Sequence, residues 1–91
     1  MADLNEFRAQ ITDIDQQIAE LFEKRMQLVK KVSLYKISNN IQTEDKKREA
    51  NMLTLYSSYI NDSQLLPYYI TLLNCYISVS KDYQDSIKQS Q

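Results

Sequence analysis

Residues 4–37, LNEFRAQITDIDQQIAELFEKRMQLVKKVSLYKI, place apolar side chains at Leu4, Phe7, Ile11, Ile14, Ile18, Leu21, Leu28, Val32 and Tyr35. Steps of three and four alternate along this stretch with one position skipped, which is the repeat of a helix with a single apolar seam. Asp3, with Glu6 three residues later, reads as a capping-box start, and Ser38-Asn39-Asn40 is the first stretch with loop character. At ~1.5 Å per residue the helix is roughly 50 Å long. A compact chain of 91 residues has a radius of gyration near ~12 Å, so such a helix cannot bury its seam inside its own monomer. The seam therefore predicts a partner helix, most simply the same helix of a second chain in a homodimer.

Working outward, a second helix is expected to begin near Thr43 or Glu44, with acidic residues in its first turn, and to run to about Ile60. Asn61-Asp62-Ser63 breaks it. Pro67 suits the first turn of a third helix, whose seam reads Leu66, Ile70, Leu73, Ile77, Ser80, Gln84 and Ile87. No internal repeat, low-complexity tract or linker interrupts the pattern. Residues 1–91 thus read as one all-α domain of three helices, the first long and paired with its copy in a dimer.

Composition limits the chemistry. At 43% hydrophobic and 25% charged residues the chain suits a folded domain rather than a disordered tail. Eleven Lys and Arg against twelve Asp and Glu give a formal charge of −1, so no global basic field is available for nucleic acid or an anionic membrane, and any anion site has to be local. There is no glycine, which removes phosphate-cradling loops and the dinucleotide fingerprint. There is no histidine either, which removes Ser-His and Cys-His nucleophile pairs and His-ligated metals. Cys75 is alone and can form neither an internal disulfide nor a Cys-rich zinc site, so the chain reads as reduced and cytoplasmic. The start, Met1 to Glu6, lacks the basic and apolar regions of a signal peptide, and no later stretch approaches a membrane span. An enzyme with this inventory works by binding and electrostatics.

Polar residues interrupt the seams at one level. Arg25 occupies the skipped position of the first seam, between Leu21 and Leu28, and Lys36, eleven residues on, lies about 20° off the same face. A guanidinium buried there needs an anion: a structural partner such as Glu49, or a ligand. Arg8, seventeen residues before Arg25, lies about 100° away and faces different surroundings; it also fits an exposed partner of Asp3 or Asp15. Lys36 equally fits a solvated residue favoured by the helix C-terminus. In the second helix Asp45, Arg48 and Glu49 precede Met52, Tyr56, Tyr59 and Ile60 on one face, although such a mixed charge run also suits wet surface. In the third, Ser80 and Gln84 stand one turn apart between Ile77 and Ile87, and both are ordinary on an exposed face. The tyrosines at 56, 59, 68, 69 and 76 read as core and interface. Inward polar groups at one level of each helix are how helical bundles build ligand sites.

Taken together these residues resemble the all-helical chorismate mutases. The match comprises Arg8 with Ile11 and Ile14-Asp15, Arg25 after an apolar run, Lys36, Asp45 with Arg48-Glu49, and Ser80 with Gln84, and it covers nearly the whole chain. The third-helix match requires a connection near residues 61–67 one residue shorter than in some relatives; without that gap Lys81 and Asp85 take the place of Ser80 and Gln84. Thr12, where many members have Asp, and Leu34-Tyr35 before Lys36 are further departures.

The resemblance implies an intertwined homodimer in which each site borrows Arg8 across the interface, and the rearrangement of chorismate to prephenate in aromatic amino acid biosynthesis. It implies no metal or cofactor. Arg25 and the second chain's Arg8 would clamp the two carboxylates, and Lys36 and Gln84 would donate to the ether oxygen. Glu49 and Asp45 would engage the ring hydroxyl, with Arg48 supporting Glu49 or a carboxylate and Ser80 assisting at a carboxylate. An isochorismate pyruvate-lyase of the same fold is the nearest alternative, and Glu49 argues against it, since lyase relatives usually lack a carboxylate there. A non-catalytic helical dimerisation module is the alternative of another class.

Overall fold

The computed structural model describes residues 3–91, so Met1 and Ala2, part of the expected domain and of the expected leaderless start, lie outside the described residues. Three helices are present, α1 (Leu4–Ser38), α2 (Lys46–Ser57) and α3 (Leu66–Gln89), and no strand occurs among the described residues. Local chemistry sets their ends. Asp3 Oδ1 accepts from the Glu6 N–H at 2.9 Å and caps α1. After Ser38 the chain turns at Asn40, whose φ of 56° is left-handed. In a chain without glycine, asparagine is the residue that adopts this region at least cost.

The second helix is shorter than its sequence suggests at both ends. Asp45 Oδ1 accepts from the Arg48 N–H at 2.9 Å, so Asp45 is the cap, and Thr43 and Glu44 precede the helix. At the other end the N–H groups of Ser58 and Tyr59 bond back three residues, to Leu55 and Tyr56, which tightens the last turn and ends α2 before Ile60. Pro67 stands in the first turn of α3, where its missing N–H costs nothing.

Helix α3 is the centre of the chain, packing on both α1 and α2. Its inner face is the expected seam: Leu73, Ile77, Ser80 and Gln84 are buried, and Leu66, Ile70 and Ile87 are half-buried. Met52 of α2 joins Leu73 and Ile77 in a small core, flanked by Leu53, Tyr56, Tyr69 and Tyr76. Crowding in that cluster pushes the Tyr69 hydroxyl above its ordinary pKa, through burial first and its tyrosine neighbours second.

The long seam of α1 behaves differently. Leu4, Phe7, Ile11, Ile14, Ile18, Leu21, Leu28, Val32 and Tyr35 are between 47% and 65% exposed, and every residue from Asp3 to Lys24 is exposed. Helix α1 meets α3 instead through Arg25, Met26, Val29, Ser33, Lys36 and Ile37, all buried or half-buried. Arg25 is therefore turned toward α3, not wedged between Leu21 and Leu28. The result is elongated, 58 × 26 × 14 Å, with a radius of gyration of 16.6 Å against the ~12 Å of a compact chain of this length.

Candidate active site

Helices α1 and α2 both rest on α3 without packing on one another, and the gap between them is a cleft with about 160 Å³ of free space. Val29, Val32, Met52 and Ile77 form its apolar walls. Into it project Arg25 and Lys36 from α1, Asp45, Arg48 and Glu49 from the start of α2, and Ser80, Lys81 and Gln84 from α3. Seven of the eight residues singled out in the sequence thus meet in one place. Arg8 does not: it is exposed on the part of α1 that α3 does not reach.

The side chains are tied in pairs across the helices. Arg25 Nη1 donates to Ser80 Oγ, which itself donates to the Tyr76 carbonyl at 2.8 Å, and the guanidinium lies 5.8 Å from the centroid of the Tyr76 ring. No carboxylate pairs with Arg25 among the described residues, so the alternative of a structural Arg25–Glu49 pair is not what the chain forms. Lys36 is half-buried rather than solvated: its Nζ donates to the Thr43 carbonyl at 2.9 Å and to Gln84 Oε1 at 3.2 Å. Behind it Ser33, buried, donates to the Gln84 carbonyl at 3.3 Å and holds α1 to α3 at this level.

On the α2 side Asp45 is first of all the helix cap. Arg48 is exposed at the rim and its Nη2 donates to the Tyr56 hydroxyl at 3.4 Å, so it does not support Glu49. The partner of Glu49 is Lys81, at 3.1 Å from Oε1. The second oxygen of Glu49, Oε2, is buried without a hydrogen-bond partner. Ser80 and Gln84, each 7% exposed, are the enclosed pair of α3, while Asp85 is exposed. Lys81 nevertheless lines the cleft together with Ser80, whereas the sequence offered it only in place of Ser80. Among the described residues no cluster of His, Cys, Asp and Glu is assembled to hold a metal ion.

The arrangement can hold an anionic molecule between apolar walls, with several cationic donors and one open carboxylate acceptor. No curated protein and no solved structure matches the chain. A family model does, that of chorismate mutase type II, over residues 7–85, a span that includes Arg8 and every polar residue of the cleft. On that match the chain belongs to the chorismate mutase type II family and is a chorismate mutase.

Proposed function

We propose that the cleft binds chorismate as a dianion and turns it into prephenate by restricting its conformation and stabilising charge at its ether oxygen. Charge balance supports this. Arg25, Lys36, Arg48 and Lys81 line the cleft against only Asp45 and Glu49, so a chain of net charge −1 has a locally positive pocket for two carboxylates.

The reaction is a unimolecular Claisen shift, in which the ether C–O bond breaks as a C–C bond forms and no proton changes hands. The cost is mostly organisational, because the enolpyruvyl chain has to lie over the ring. In this reading the forked donors of Arg25, steadied by Ser80 and Tyr76, hold one carboxylate, and Arg48 reaches a carboxylate from the rim. Lys36 and the amide nitrogen of Gln84 donate to the ether oxygen as negative charge grows there. The free Oε2 of Glu49 accepts the ring hydroxyl, with Asp45 beside it. The observation that carries the reading is the 3.2 Å bond from Lys36 Nζ to Gln84 Oε1, which brings the two ether-oxygen donors together.

The site is complete only in a homodimer. Arg8 precedes Arg25 by seventeen residues, about 25 Å along the helix, beyond the reach of its own cleft but available to a second copy lying along the exposed seam. Only Met52, Leu73 and Ile77 are buried hydrophobics among the described residues, a small core for a chain of 91 residues. Seam side chains closed off from water contribute about 1.5–3 kcal/mol each, which is the driving force for pairing. The exposed, unpaired Cys75 thiol suits the reducing cytoplasm.

Incubating the purified chain with chorismate and, separately, with isochorismate tests the function. Prephenate from chorismate is expected. Pyruvate released from isochorismate without any prephenate from chorismate would favour the lyase, and turnover of neither would leave a dimerisation module.

A further inference from the structure

Among the described residues, Lys81 is the one cation of the cleft that the chain itself pairs with carboxylates. Its Nζ donates to Glu49 Oε1 at 3.1 Å and lies 3.6 Å from Glu44 Oε1. The side chains of Glu49 and Lys81 are 23% and 32% exposed, so the bond sits partly shielded at the wall of the cleft, while Glu44 is 53% exposed at its edge. Glu49 Oε2 has no partner although it is buried. A buried carboxylate oxygen without a protein donor is costly, and a catalytic role is one of the reasons such an atom is kept.

We propose that Lys81 is a positioning residue for Glu49: by gripping Oε1 it fixes the carboxylate so that Oε2 stays open for the substrate's hydroxyl. The inference rests on the chorismate reading above and extends it to a residue that the sequence offered only in place of Ser80. Lys81 is suited to this task rather than to binding substrate directly, because its charge is already shared between two carboxylates. Removing it would leave Glu44 and Glu49 facing one another without a cation between them, and repulsion would turn Glu49 from its position. The other charged groups at the cleft are Asp45 and Arg48 on the α2 side and Arg25 and Lys36 on α1. None of the three other cations forms an ion pair with Glu49 among the described residues.

The lysine keeps its charge up to alkaline pH. The hydrogen bond to Glu49, ahead of the nearby negative charges, raises the Lys81 pKa above its ordinary 10.5. A raised lysine value means that the Lys81 charge is fully present below 10.5 and is lost only as pH rises through the higher folded value.

A double-mutant cycle on kcat/KM for chorismate decides the matter. Lys81→Met is expected to lower kcat/KM about tenfold, as for loss of a charge-assisted bond, with Lys81→Arg recovering most of it. In a Glu49→Gln background the same Lys81→Met change should alter kcat/KM less than about twofold, because there is no carboxylate left to position. Equal losses in both backgrounds, or no loss from Lys81→Met alone, would overturn the proposal. If Lys81→Met does not fold, Lys81→Gln replaces it in the cycle with the same expected pattern. A parent chain inactive on chorismate overturns both this inference and the proposed function, whereas an active parent with equal losses overturns this inference only.

Discussion

Because Oε1 of Gln84 accepts the Lys36 ammonium, the NH2 end of the amide is the end left to donate, and an amide donates at any ordinary pH. Gln84→Glu therefore separates donation from shape. A carboxylate at this position accepts but cannot donate, and it would repel an oxygen that is becoming negative. The variant should work only in its protonated form, so its rate should fall as pH rises through a carboxyl pKa near ~4.3. At neutral pH the loss should be about 100- to 1000-fold in kcat, with the fold checked by circular dichroism. A wild-type rate at pH 8 would remove Gln84 from the donor role. Gln84 was visible in the sequence because it continues the seam of Ile70, Leu73 and Ile77. The Lys81–Glu49 bond was not, because it joins positions 32 residues apart on helices whose relative placement no local spacing encodes.

Helix boundaries show the same division between local and distant causes. The start of α1 and the Pro67 turn of α3 were legible because their signals lie within one turn: Asp3 with Glu6, and a proline where no N–H is needed. The end of α2 is not legible, since apolar residues continue to Ile60 while the backbone has already tightened at Ser58 and Tyr59. Asp45 carries two duties at the element scale, cap and cleft residue, and they can be parted. Asp45→Ala should destabilise the protein by about 1 kcal/mol through loss of the cap, whereas Asp45→Ser, which keeps a capping oxygen, should retain most of that stability. Urea unfolding at one protein concentration measures both. If Asp45→Ser restored chorismate turnover together with stability, the carboxylate would have no part beyond the cap.

At the scale of the whole molecule, the length of α1 is the dominant fact. The three-and-four spacing made a helix of about 50 Å legible from residues 4–37, and the structure leaves its seam uncovered from Leu4 to Tyr35. What spacing could not reveal is that α1 has a second face: Arg25, Val29, Ser33 and Lys36 serve its own α3, while the seam stays exposed. The central claim is that each active site takes Arg25 from one chain and Arg8 from another. Mixing Arg8→Ala chains with Arg25→Ala chains tests it directly, with subunit exchange verified by a mass-tagged partner. Each heterodimer would hold one intact site and one doubly defective site, so an equal mixture of two inactive proteins should recover about a quarter of the wild-type chorismate mutase activity. No recovery after complete exchange would contradict the account.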